Sequence, residues 1–217
     1  MQTKQTLPLV HNYRPSNLSE KAPAIIMLHG YGSNEDDLFS FAPELPEKYA
    51  IIALKAPLSL QGMGNAWYTI HFESADNTKF NDIEEAIKAR ETVVKTIDNA
   101  IELYNLDSEN ITLLGFSQGT ILSLAVGLSY PEKIKRIVAL SGYLAKDMLV
   151  DGYENKDYSH LDIFQSHGTA DMIIPVQWAR DANESLKAMG IKAEYKEYPV
   201  GHGVAPQNFY DFRKWLD

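Results

Sequence analysis

An α/β fold with a mostly parallel sheet follows from three features of this chain. Short, nearly continuous apolar runs recur along it, and amphipathic stretches with helical spacing lie between them. The runs are also too uniformly apolar to be strands with one face in water, so the sheet is expected to be covered on both sides. At 217 residues, 45% of them hydrophobic, the chain is sized for one domain, 1–217, with a substantial buried core.

In chain order, Ala24 to Leu28 reads as the first strand and Tyr49 to Leu54 as the second. The irregular stretch Ser59 to Phe80 follows, expected as a short cap over a site, with Gly62 and Gly64 letting it move. A helix is predicted from about Asp82 to Tyr104, capped by Asn81 or Asp82. Ile83, Ile87, Val94, Ile97, Ile101 and Tyr104 recur there at helical spacing. Ile111 to Phe116 is the next strand, and Gln118 to Ser129 a helix that stops before Pro131. Strands are expected over Ile134 to Leu140, Leu161 to Ser166 and Ala193 to Tyr198. Helices are expected over Val176 to Met189, ending at Gly190, and Pro206 to Leu216.

Composition narrows the function. The absence of cysteine removes disulfides, thiolate metal sites and a cysteine nucleophile together. It is compatible with a cytoplasmic location, the expected one. A net charge of −9 without a basic cluster argues against nucleic acid or an anionic membrane as partner. No stretch is long and apolar enough to span a bilayer, and Met1 to Thr6 lacks the apolar core of a secretion signal.

The chemistry is carried by Gly115-Phe116-Ser117-Gln118-Gly119, a G-x-S-x-G between a strand and a helix. That context defines a nucleophile elbow, in which a strained turn lifts the serine hydroxyl above the sheet edge. By residue frequency alone, a chain of this length matches the pattern roughly once in fourteen sequences. The partners downstream therefore have to decide. His202, in Gly201-His202-Gly203, follows the last strand, and Asp171 follows the strand before it. Ser117, Asp171 and His202 thus each follow a separate strand at its carboxyl end, where reacting groups of such sheets gather. Their order, Ser-Asp-His, is that of the α/β-hydrolases. Asp147, Asp151 and Asp157 are weaker rivals for the acid, and Asp162 begins a strand at the opposite edge. The oxyanion donors expected are the amides of Gln118 and Tyr31, the latter in Leu28-His29-Gly30-Tyr31-Gly32. His29 is expected to pack and bond backbone.

These segments, with Ala66-Trp67-Tyr68, His167-Gly168-Thr169-Ala170-Asp171 and Ile174-Pro175, resemble the phospholipase/carboxylesterase family of small serine hydrolases, which includes acyl-protein thioesterases. The resemblance runs from about residue 20 to the end. It implies the same three catalytic residues and the same oxyanion pair, and it suggests Trp67 as a pocket residue. Met172 and Ile173 are the alternative substrate contacts. Thr120 stands where many relatives carry Gly or Ala and is expected to crowd the helix start. Dimers are common among relatives, so a homodimer is implied, although no residue pattern marks an interface. The expected activity is hydrolysis of short- to medium-chain carboxylic esters through an acyl-enzyme, on a small-molecule ester and without metal or organic cofactor. Acyl-protein thioesterase or lysophospholipase activity is the alternative within enzymes. A catalytically silent binding protein is the alternative outside them.

Overall fold

The computed structural model describes residues 6–72 and 79–217. The expectation for the first residues of the chain, apart from Thr6, and that part of the Ser59 to Phe80 insert spanning 73–78 lie outside them.

The elements run β1 (His11–Arg14), β2 (Ala22–Leu28), α1 (Glu35–Phe39), β3 (Ala50–Leu54), β4 (Leu58–Ser59), β5 (Asn65–Ala66), β6 (Ile70–Phe72), β7 (Lys79–Asn81), α2 (Ile83–Tyr104), β8 (Leu106–Phe116), α3 (Gln118–Ser129), β9 (Arg136–Leu140), β10 (Asp162–Gly168), α4 (Val176–Ala188), β11 (Lys192–Tyr198) and α5 (Pro206–Leu216). Seven strands form the central sheet, in the order β1-β3-β2-β8-β9-β10-β11. All neighbours are parallel except β1, which runs antiparallel to β3 at the edge. The fold is that of an α/β-hydrolase.

Burial explains the apolar runs. Every residue of β3 is buried, because the sheet separates two cores. Residues of α2 and α3 pack in one, with Trp67 and Tyr68 of the insert. Residues of α1 and α5 pack in the other. Helix α3 is buried throughout, which is why its sequence is apolar all round rather than striped. The boundaries of α2 follow from its caps. The Asp82 carboxylate accepts from the Glu85 amide, and Asn105 ends the helix in the left-handed region, φ +52°.

Two elements have no apolar signature in the sequence. Strand β1, His-Asn-Tyr-Arg, is half-buried along its length. It is fixed by the Arg14 guanidinium, which donates to the carbonyls of Leu45 at 3.1 Å, Pro46 at 2.9 Å and Tyr49 at 2.9 Å, and to that of Ala42. Helix α1 is a single acidic turn and a half, begun by the Asn34 side chain on the Asp36 amide.

The carboxyl ends of β2, β3, β8, β9, β10 and β11 share one edge of the sheet. The loops that follow them carry Tyr31, the insert, Ser117, Tyr143, Asp171 and His202 respectively.

Candidate active site

The site begins with backbone strain. Ser117 has φ +54° and ψ −118°, a conformation costly for any residue with a side chain. It is held because strand and helix approach closely around it. A Cβ on Gly119 would overlap the Leu28 carbonyl, and one on Gly115 would overlap the Gly119 carbonyl. Both glycines of the motif are therefore required by contact. Thr120 does not crowd the helix start. Its hydroxyl donates to the carbonyls of Gly115 at 2.7 Å and Leu140 at 2.6 Å. Its bulk is accommodated at Gly142, where a Cβ would lie 2.5 Å from the Thr120 side chain.

From the strained turn, Ser117 Oγ lies 2.9 Å from His202 Nε2. His202 Nδ1 lies 2.7 Å from Asp171 Oδ2. An ionised carboxylate can only accept, so Nδ1 carries the proton and Nε2 presents its lone pair to the serine hydroxyl. Asp171 is fixed in turn. Its Oδ1 accepts from the amides of Ile173 at 2.8 Å and Ile174 at 2.9 Å. Burial alone would raise the Asp171 carboxyl. The bonds from His202, Ile174 and Ile173 outweigh it and hold the group below the usual carboxylate range. A second histidine contributes here that the sequence pattern did not single out. Buried His167 places Nε2 2.9 Å from the Ile174 carbonyl and 3.2 Å from Asp171 Oδ2. A carbonyl only accepts, so this nitrogen bears a proton that both oxygens share. The rival acids Asp147, Asp151 and Asp157 are exposed.

Gln118 opens α3, where first-turn amides have no intrahelical acceptor. In the loop after β2, the Gly32 and Ser33 amides are engaged by Asn65 and Gly30. Among the described residues no protein acceptor faces the Tyr31 or Gln118 amides. The Gln118 side chain has a separate task. Its Oε1 accepts from the Trp67 amide at 2.9 Å and its Nε2 donates to the Tyr68 carbonyl at 2.8 Å. The residue after the serine thereby clamps the insert from within.

That clamp corrects the expectation for Trp67. The indole is 1% exposed and belongs to the core, with Nε1 donating to the His29 carbonyl at 2.9 Å. It is absent from the cavity wall. His29 accepts the Ala56 amide on Nε2 at 3.1 Å and meets the Gly30 carbonyl through Nδ1 at 2.7 Å. Burial pushes its imidazole down, which keeps it neutral in this role. Gly64 does not behave as a hinge either. Its φ is +83°, and a Cβ there would overlap the backbone of Gly32. It brings the insert against the Tyr31 loop, where the Asn65 amide donates to the Ser33 carbonyl and the Asn65 carbonyl accepts from the Gly32 amide.

Ser117 and His202 open into a cavity of about 300 Å³ that Tyr31 and Gln118 also line. Its apolar wall is Ile70, Ile121, Ile173 and Ile174, and Asn81, Tyr143 and Trp178 complete it. Of the sequence-derived pocket residues, Ile173 is in the wall. Met172 is 90% exposed and lies outside it. Tyr143 could have been found as a residue just past a strand's carboxyl end, and Ile121 as one helical turn beyond the nucleophile. A larger, more open recess beside Pro43, Tyr210 and Arg213 holds no nucleophile–base pair.

The model of the phospholipase/carboxylesterase family matches residues 15–217. The chain belongs to that family. It is a serine hydrolase acting on carboxylic ester bonds. An acyl-protein thioesterase 1 of Candida albicans is 29% identical, over 93% of this chain and 94% of its own. A probable carboxylesterase of Oryza sativa subsp. japonica is 30% identical, over 88% and 76% respectively. The solved carboxylesterase of Bacillus cereus superposes with a TM-score of 0.82 over 97% of this chain and 94% of its own. At 19% identity it speaks to the fold alone. Among the described residues no helix is long and apolar enough to cross a membrane.

Proposed function

We propose that this family member hydrolyses short- to medium-chain carboxylic esters through Ser117, His202 and Asp171. The observation that carries the reading is the continuous hydrogen-bonded chain from Ser117 Oγ to the Asp171 carboxylate, opening on a small apolar-walled cavity. Ser117 Oγ attacks the acyl carbon while His202 Nε2 takes its proton. The resulting oxyanion faces the Tyr31 and Gln118 amides. Those donors are in place before the reaction, so no reorganisation is needed as charge develops. Collapse expels the alcohol, which leaves with the proton from His202. Water then attacks the acyl-enzyme, giving a proton to His202. The acid departs, and Ser117 regains its hydrogen. Asp171 keeps the imidazole in the required tautomer and stabilises its cation.

The cavity volume favours a modest acyl group. The name of the Candida relative favours a second reading, thioester hydrolysis on acylated protein, which needs the same chemistry. Esters and thioesters of one acyl chain, compared by kcat/KM, separate the two. The assignment of the nucleophile is tested with Ser117→Ala. Ester hydrolysis and labelling by a fluorophosphonate are both expected to vanish with the thermal unfolding curve unchanged. Retention of a tenth of the activity would exclude Ser117, because losing such a nucleophile costs on the order of a million-fold.

A further inference from the structure

The catalytic cavity shares three of its wall residues with a second hollow. Asn81, Tyr143 and Trp178 line both. Ser117 and His202 lie on one side of them. On the other side is a hollow of about 580 Å³. Buried Ala145 and half-buried Ile83 and Leu144 make its floor, and exposed Lys146 and Asp147 its lip. The three shared residues therefore form a partition. They come from three separate elements: Asn81 ends β7, Tyr143 lies three residues past β9, and Trp178 is in the first turn of α4. Asn81 Nδ2 donates to Tyr143 Oη at 3.1 Å, and the Tyr143 ring meets Trp178 edge-on with centroids 5.0 Å apart. A single neutral hydrogen bond between half-buried side chains is readily exchanged for water. The contacts that hold the partition together are thus between side chains.

We infer that Asn81, Tyr143 and Trp178 set the upper limit of acyl length. A straight aliphatic acyl chain on Ser117 fills the first cavity and stops at this partition. Loss of the partition joins the hollows, and the apolar floor of the second then receives the rest of a longer chain. This inference deepens the reading of Ser117 as nucleophile and rests on it.

The experiment is a series of p-nitrophenyl esters of straight-chain acids from two carbons upward, with one leaving group throughout. In the parent enzyme kcat/KM should climb by up to about fourfold for each methylene buried, then break at the length that meets the partition. In Asn81→Ala and in Tyr143→Ala the break should move to longer chains. The ratio of kcat/KM between a chain two or more methylenes past the parent break and the acetyl ester should rise at least tenfold. Tyr143→Phe, which removes only the hydrogen bond, should move it less. A break at the parent length, or a shorter one, in variants that unfold cooperatively would overturn the inference. Should Tyr143→Ala not fold, the position of the break in Asn81→Ala decides alone. Activity surviving in Ser117→Ala would remove the nucleophile reading itself, whereas an unmoved break removes only the partition.

Discussion

The turn at Gly115 to Gly119 and the insert from Ser59 to Phe80 meet at the same catalytic edge, yet they are specified in opposite ways. In the turn, each residue type answers a local need: a strained φ at Ser117 and close backbone approaches at Gly115 and Gly119. In the insert, the conspicuous aromatic residue does the opposite of what its place near the site suggests. Trp67 turns inward and becomes core, while Ile70, unremarkable in sequence, reaches the cavity. Function near a site is therefore readable where backbone geometry demands a residue type. It is not readable where a side chain can choose between two apolar environments.

The contrast can be broken most severely at Asp171. Asp171→Asn should lower kcat by about four powers of ten, because an amide permits the wrong imidazole tautomer. Asp157→Asn, at an exposed turn, should leave kcat within a factor of two. A steady-state comparison of the two variants checks the ranking, and a reversed order would return the acid to the loop between β9 and β10.

Next in size is the insert itself. Trp67→Ala should destabilise the fold by about 3–5 kcal/mol, the usual cost of emptying a buried aromatic site. It should shift all esters by a common factor. Chemical denaturation and the chain-length series measure these separately. A changed chain-length preference with unchanged stability would restore Trp67 to the cavity wall.

A finer test concerns pH. Asp171 is held low in the folded chain, so its ionised form stabilises the fold above the unfolded carboxylate range, and that contribution disappears as pH falls through the folded value. The carboxylate consequently stays ionised through the mildly acid range. The acid limb of log kcat/KM should therefore fall with a slope of one and not two. A slope of two would mean that Asp171 takes up its proton within that range.

The smallest effect is expected outside both regions. Arg180 of α4 donates to Glu197 of β11 through Nε at 2.7 Å and through its terminal nitrogen at 2.8 Å. Those bonds, against some burial and with help from Tyr195, bring the Glu197 carboxyl down to about 2. Its contribution to stability should be present above about pH 4.5 and fade towards pH 2. Because the pair is largely exposed, Glu197→Gln should cost less than about 1 kcal/mol at neutral pH. Urea denaturation at pH 7 and pH 2.5 should show the difference between parent and variant closing at the lower pH.

Much of this protein was legible without coordinates. The apolar runs carry the strands of the central sheet because a sheet covered on both faces needs uninterrupted hydrophobic strands. That Ser117, Asp171 and His202 meet was legible because each follows a strand, and parallel strands deliver their carboxyl ends to one edge. Gly190, at φ +76°, closes α4 as its place in the sequence predicts. Strand β1 was not legible, since its pairing is secured by Arg14 reaching carbonyls some thirty residues away.

Most of the apolar wall of the cavity was decided by tertiary structure. Its walls come from β6, β7, α3, α4 and the loops after β9 and β10, and of the residues that complete them beside the serine, the histidine and the oxyanion pair only Ile173 was named from the sequence as a substrate contact. The orientation of Trp67 depends on Gln118, fifty-one residues on, whose side chain bonds the backbone on both sides of the Trp67–Tyr68 peptide. Strain, close approach and chain direction act between sequence neighbours, or between strands whose order the fold class imposes, so residue types record them. Which face an aromatic side chain buries is settled by contacts that exist only once the chain has closed on itself.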